Sequence, residues 1–296
     1  MITLASVLGK EKFMSVNTRI WITGAQGRMG AALAHHFDRT TEYEILTSDK
    51  DVPIDNLNEV IYFVDLNHPD IIINCAALSD VELCEKYPDQ AFKVNAIGAR
   101  NLAIAARRVD AKLIQISTDD VFGENSKEPH NEFDRPQPVT VYGKSKLAGE
   151  DFIKNLHNKH IIVRSTWIYG YNYDYLDGLL MKAKKGETVK ASIKHYSTPT
   201  TCHALVDFLE KLLDASEYGT FHASCEGACR IGEFIAEAFR LAGLNTKIEM
   251  SEKDSLIPPV VVLDNMMMRI TGIYKMPDWH DDLQAYINRR KERGIL

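Results

Sequence analysis

Residues 23–30 read Thr23-Gly24-Ala25-Gln26-Gly27-Arg28-Met29-Gly30, after a run with strand character (19–23) and at the head of a run with helical spacing (27–37). Glycines at this spacing between a strand and a helix narrow the possible folds sharply. They let the backbone turn tightly, bring an anionic group against its N–H groups and pack the new helix on the sheet. The helix N-terminus adds partial positive charge, so the loop suits the pyrophosphate of a dinucleotide. Gly24, Gln26, Gly27, Arg28, Met29 and Gly30 are the candidate contacts.

Strand and helix patterns alternate through the first half of the chain. Strands are expected at 19–23, 43–47, 71–74, 112–117 and 160–164, and helices at 27–37, 57–66, 88–108 and 141–156. This alternation predicts a doubly wound parallel α/β sheet of Rossmann type. Beyond Tyr169-Gly170 the regularity weakens, with helices at 176–185, 204–213, 231–242 and 281–292 and short strands at 188–191, 220–223 and 247–250. The division read from this is a tail (1–16, with Met14 a candidate start), a dinucleotide-binding domain (17–169, rejoined by 201–223) and a smaller α+β substrate domain (170–200 and 224–296). The smaller unit would roof the cleft at the carboxyl ends of the strands, where open α/β sheets bind ligands.

The 296 residues carry a net charge of -6 with no dense Lys/Arg run, which argues against a nucleic-acid or anionic-membrane surface. No apolar run has the length of a membrane helix, and the N-terminus lacks the basic region of a signal peptide. A cytoplasmic enzyme, possible as a homodimer, fits this balance. The five cysteines read as reduced thiols, and no metal-ligand spacing is present. His35-His36, His157 and His160 read as helix-surface histidines, Met266-Met267-Met268 as packing, and Trp279 as the anchor of the last helix.

Tyr142-Gly143-Lys144-Ser145-Lys146 places a tyrosine and a lysine one helical turn apart. The strand at 112–117 ends in Ser117-Thr118-Asp119, so its hydroxyls reach the ligand edge of the sheet. Together these groups can reduce a carbonyl. Tyr142 gives its phenolic proton to the carbonyl oxygen as the nicotinamide delivers hydride, Lys146 favours the phenolate, and Thr118 or Ser117 fixes the same oxygen. Cofactor choice turns on the end of the second strand, Thr47-Ser48-Asp49. Ser48 accommodates a 2′-phosphate with Arg28 beside it and Asp49 opposes one, so NADP(H) is favoured with NAD(H) as the alternative.

These blocks are identified with a family. Asn74-Cys75-Ala76-Ala77, Val94-Asn95-Ala96, Ser117-Thr118-Asp119 and Tyr142-Gly143-Lys144-Ser145-Lys146-Leu147-Ala148-Gly149-Glu150 resemble the dTDP-4-dehydrorhamnose reductases, which are extended short-chain dehydrogenases. Arg164-Ser165-Thr166-Trp167-Ile168-Tyr169-Gly170 and Met276-Pro277-Asp278-Trp279 continue the likeness. The resemblance implies Thr118 as hydroxyl partner of Tyr142 and Lys146, and Ala76, Ala77, Leu78, Asn95 and Ser117 as cofactor contacts. It also implies Thr118, Asp119 and Trp167 near a nucleotide-sugar substrate whose C4 ketone is reduced. The departures cluster in the substrate shell. Asp120 stands where the family has tyrosine, Lys194-His195 where it has Asp-Gln, and Ile257-Pro258-Pro259 where it has a basic Arg-Pro segment. Losing an arginine there removes a bidentate contact to a diphosphate. The same blocks also admit a sugar-nucleotide epimerase or dehydratase holding NAD. A third reading is a dinucleotide-binding regulatory subunit resembling the β subunit of methionine adenosyltransferase.

Overall fold

Runs of β-branched residues buried on both faces become the central strands, because a parallel sheet flanked by helices shows neither face to water. In the computed structural model, which describes residues 17–123, 128–171, 174–192, 196–251 and 260–296, Ile20–Ile22, Ile72, Ile73 and Ile161–Val163 are essentially inaccessible. The expectations for the tail and Met14, for Lys194-His195 and for Ile257-Pro258-Pro259 lie outside the described residues.

The first half runs β1 (Thr18–Thr23), α1 (Arg28–Phe37), β2 (Tyr43–Ser48), α2 (Leu57–Asn67), β3 (Ile71–Asn74), α3 (Val81–Lys86), α4 (Pro88–Phe92), α5 (Gly98–Val109), β4 (Lys112–Thr118), α6 (Val141–Leu156) and β5 (His160–Ser165). The second runs β6 (Ile168–Tyr169), α7 (Tyr175–Lys184), β7 (Val189–Ser192), β8 (Tyr196–Ser197), β9 (Thr200–Thr201), α8 (Cys202–Asp214), β10 (Gly219–His222), β11 (Cys229–Arg230), α9 (Ile231–Ala242), β12 (Ile248–Ser251), α10 (Met266–Thr271) and α11 (Trp279–Glu292).

Six strands form the main sheet in the order β10-β5-β4-β3-β1-β2, all parallel. The order reverses beside β1, so the ligand crevice opens at the ends of β1, β3 and β4. Trp21, Ile72, Leu102 and Leu113 fill one face with α2, α5 and α6. Ile22, Leu33, Phe208 and Phe221 belong to the other, whose apolar cluster continues into α7, α9 and α11. The expected strand at 220–223 is β10, which returns to the sheet edge beside β5. The strands expected at 188–191 and 247–250 pair with each other as β7 and β12 in a separate parallel ribbon.

Two expectations need correction. The helix expected at 88–108 is interrupted by a π-turn at Lys93–Ile97, which splits it into α4 and α5. Such a bulge rotates one side chain out of helical register, and here it turns Asn95 into the interior. Neither His157 nor His160 is on a helix surface: His157 closes α6 while buried, with its Nε2 2.8 Å from the Ala111 carbonyl oxygen, and the half-buried His160 opens β5. Trp279 is buried at the start of α11, and Met268 is buried in α10.

The sheet and α6 are joined by a buried ion pair. Arg164 Nη2 donates to Glu150 Oε2 at 2.7 Å and its Nε donates to Oε1 at 3.0 Å, with exposures of 2% and 0%. Burial alone would raise the Glu150 carboxyl, but Arg164, Lys154 and the Ser117 hydroxyl outweigh it and leave it below the ordinary carboxylate range. Burial and the Arg164 charge push His222 down to about 3, so it faces the guanidinium as a neutral ring. The pair's contribution to stability is therefore present above the ordinary glutamate pKa and lost as pH falls below it. Arg164→Met leaves the buried Glu150 carboxylate with only Lys154 and the Ser117 hydroxyl and is expected to cost about 3–5 kcal/mol in denaturant unfolding. Adding Glu150→Gln to it should recover part of that loss; a double variant no more stable than the single one would contradict this account.

Candidate active site

The glycine loop shows directly why its residues are small. Gly24 sits at φ +65, and a Cβ there would lie 2.6 Å from the Ala76 nitrogen. A Cβ on Gly30 would lie 2.3 Å from the Gly24 carbonyl oxygen, so α1 approaches the loop closer than any side chain permits. Gly27 caps α1 without a side-chain hydrogen bond, and the first turn holds no acidic residue. The leading N–H groups of that turn have no acceptor within the helix, which is the arrangement a phosphate needs. A cradle that a Cβ would fill and a bare helix N-terminus both fit the pyrophosphate of a dinucleotide.

A ladder of buried amides crosses the sheet under this loop. Thr23 Oγ1 donates to Asn74 Oδ1 at 2.7 Å, Asn74 Nδ2 to Gln115 Oε1 at 2.7 Å, and Gln115 Nε2 to the Ile116 carbonyl oxygen at 2.7 Å. Lys146 Nζ donates to that same carbonyl at 2.7 Å. The lysine is thus fixed to the strand end by a chain of polar groups that begins at the glycine loop.

Helix α6 delivers the reactive groups, and each residue of its first turns has a distinct task. Gly143 lies so close to the short 3₁₀ turn Asp119–Val121 that a Cβ would stand 2.2 Å from the Asp120 carbonyl oxygen. Ser145 Oγ accepts from Asn95 Nδ2 at 2.9 Å, and Asn95 also brackets Leu78, accepting its N–H at 2.8 Å and donating to its carbonyl at 3.0 Å. Gly149 admits the Asn95 carbonyl, which would be 2.4 Å from a Cβ. Ser117 Oγ donates to Glu150 Oε1 at 2.6 Å.

Thr118 is the hub of the strand end. Its Oγ1 accepts the Asp120 N–H at 3.1 Å and lies 3.2 Å from Asp119 Oδ1, and its hydroxyl favours the ionised form of the neighbouring Tyr142 phenol. Burial, and then the charge of Asp120, raise the Tyr142 phenol above its ordinary value, so the proton stays on the oxygen at neutral pH. Burial pulls the Lys146 ammonium down to about 8, against the raising effect of Glu150. Burial and mutual repulsion raise Asp119 above the usual carboxylate range, and burial does the same for Asp120.

These groups line one cleft of about 480 Å³. Of the sequence candidates it holds Gly27, Arg28, Met29, Ala77, Ser117, Thr118, Asp119, Tyr142, Lys146 and Trp167. Gly24, Gly30, Ala76, Leu78 and Asn95 are not among its lining residues. Gln26 and Ser48 line a second concavity on the far side of the loop, with Asp49, Lys50 and Asp51.

Ser48 does not present a hydroxyl to that concavity as expected. The residue is buried, and its Oγ accepts from Trp21 Nε1 at 2.9 Å. Arg28 does not stand beside Ser48 either: its Nη1 donates to the Ile168 carbonyl at 2.7 Å on the catalytic side. Asp49 instead accepts the Gln26 N–H at 3.1 Å.

Sequence reasoning missed Ser165, Tyr196, Ser197 and Val261 in the cleft. It also passed over Asn74 and Gln115, whose polar character inside apolar strands was the available signal. Trp167 holds φ +44, a left-handed backbone uncommon for a non-glycine residue, at the cleft wall with its ring 6.3 Å from that of Phe234.

The sheet order, the glycine loop and the Thr118, Tyr142 and Lys146 cluster together define an extended short-chain dehydrogenase. The profile of the RmlD substrate binding domain matches residues 18–292, and the chain belongs to that family. The fold is similar to a dTDP-4-dehydrorhamnose reductase of Clostridium acetobutylicum, 36% identical with a TM-score of 0.88 over 92% of this chain and 99% of that one. It is similar to the Bacillus anthracis dTDP-4-dehydrorhamnose reductase solved with NADP, 35% identical with a TM-score of 0.88 over 93% and 99%. The spore coat polysaccharide biosynthesis protein SpsK of Bacillus subtilis is 29% identical over 92% of this chain and 98% of its own length.

Gly143→Ala should force the 3₁₀ turn and α6 apart, at a cost of about 1–3 kcal/mol in denaturant melts. Unchanged stability in that variant would show that the approach of α6 to the strand end is looser than described.

Proposed function

We propose that the chain reduces the C4 ketone of a nucleotide-linked deoxysugar, as the dTDP-4-dehydrorhamnose reductases do, with NADP(H) favoured and NAD(H) as the alternative. The observation that carries this reading is the convergence of Thr118, Tyr142 and Lys146 in one cleft with the glycine loop. Family membership supports it, and so does the relative of 35% identity solved with NADP.

A bound reduced nicotinamide supplies the hydride. The chain's own residues manage the proton. Tyr142 holds its proton at neutral pH and gives it to the ketone oxygen. The Lys146 ammonium, fixed to the Ile116 carbonyl, offsets the negative charge left on the phenol. Thr118 orients the phenol and offers its hydroxyl to the same ketone oxygen. Arg28, Met29 and Gly27 border the cofactor, while Asp119 and Trp167 stand on the sugar side. Segments 170–200 and 224–296 act as the substrate-binding roof, a reading supported by Tyr196, Ser197 and Val261 on the cleft wall. No described helix is long and apolar enough to cross a membrane. A water-soluble nucleotide-linked substrate supports a cytoplasmic site of action.

The direct test is oxidation of NADPH, followed by absorbance, with dTDP-4-dehydrorhamnose and other 4-keto sugar nucleotides. Absence of turnover with all of them, despite tight NADPH binding, would sink the reductase reading. Tyr142→Phe should lower kcat by about 10²–10⁴ with little change in NADPH affinity, since only the proton donor is lost. The kcat of ketone reduction is also expected to fall as pH rises through about 8, where Lys146 gives up its proton. Lys146→Met should show a low, flat profile across that range; a wild-type limb persisting in Lys146→Met would assign the titration to another group.

A further inference from the structure

Outside the cleft, the molecule gathers cations in one place. The C-terminal turn of α1, the residues after β6, helix α8 and the C-terminal turn of α11 enclose a concavity of about 210 Å³. Its wall carries His35, His36, Arg39, His203, Arg289 and Arg293, and among the described residues no aspartate or glutamate lines it. The whole chain has a net charge of -6, so this local excess runs against the composition.

The nearby acids are already engaged. Glu210 lies 3.2 Å from His36 Nε2, and Asp207 lies 3.3 Å from His203 Nδ1. Asp177, behind the wall, is held by Arg290 and by the Tyr286 hydroxyl, which donates to it at 2.8 Å. Arg289 is half-buried, and neither it nor the exposed Arg293 has a side-chain hydrogen bond or ion pair to any described residue. Burial lowers the Arg289 pKa by more than the nearby Asp282 and Asp207 carboxylates raise it, and those two acids are held by Thr201 and His203.

Basic residues in the last turn of a helix complement its dipole, which would account for one such end. Here the ends of α1 and α11 converge on a single hollow, and neither dipole requires two guanidinium groups facing the same space. A guanidinium fork matches two oxygens of a phosphoryl group.

We infer that this hollow is an anion site that takes a phosphoryl group, free or carried on a small molecule. It is distinct from the pyrophosphate cradle. That cradle lies at the N-terminal end of α1, and the hollow lies at the C-terminal end of the same 10-residue helix, about 15 Å away. Tyr171, with its ring 6.1 Å from that of His35, gives one wall an aromatic face against which a carried ring could lie.

The test uses the full chain saturated with NADPH, so that the cradle is filled. Inorganic phosphate and ribose 5-phosphate are titrated separately by calorimetry into the wild type and into an Arg289→Gln/Arg293→Gln variant. Saturable binding of either anion to the wild type, weakened on the order of tenfold or more in the variant, is expected. Binding of both phosphate and ribose 5-phosphate, or of phosphate alone, identifies the free ion as sufficient, and binding of ribose 5-phosphate alone identifies the carried group. If the double variant melts at a lower temperature, Arg293→Gln alone, altered at an exposed position, gives the same comparison. No saturable binding of either anion to the wild type, or equal affinity in wild type and variant, overturns the inference.

Discussion

Helix α6 runs closer to the carboxyl ends of the strands than side chains ordinarily allow, and the cleft is a consequence of that approach. Gly143 and Gly149 remove the Cβ atoms that would collide with the backbone at Asp120 and Asn95. With the helix so close, Lys146 can reach the Ile116 carbonyl and Tyr142 can reach Thr118 without stretching either side chain. The buried pair of Glu150 and Arg164 then ties the same helix to β5. Replacing one partner alone is costly, so the pair fixes the helix in one position relative to the sheet.

Much of this was legible in the residues. The periodicity located the strands that became the main sheet, because a parallel sheet buried on both faces must be built from continuous apolar runs. The Tyr142 and Lys146 spacing and the strand-end Thr118 located the cleft for a similar reason: both follow from helix and strand geometry alone. What escaped was anything set by contact between distant segments. The π-turn that aims Asn95 inward leaves no mark in a helical pattern, and the inward turn of Ser48 depends on Trp21 in a neighbouring strand. Arg28 had two plausible directions, and the Ile168 carbonyl, far along the chain, decides between them.

The two acidic residues after Thr118 make this cleft chemically unusual. Asp120 brings a second carboxyl next to Asp119, with both raised by burial. In a cleft that also carries Arg28, Lys146 and several hydroxyls, the pair offers acceptors or donors according to its protonation. A sugar rich in hydroxyl groups suits such a wall better than a purely apolar one would.

The position of β10 has a consequence for how the chain is made. It completes the sheet edge beside β5, yet it follows α7, α8 and the small strands between them. During synthesis, therefore, the edge of β5 stays open until residues 219–222 emerge, and an unpaired parallel edge is a template for wrong partners. A chain cut after β6 would keep the glycine loop and the Tyr142 helix but would expose that edge permanently. The nucleotide-binding half thus depends on β10 to cover the β5 edge, and an insertion in the roof must still let β10 return to its place.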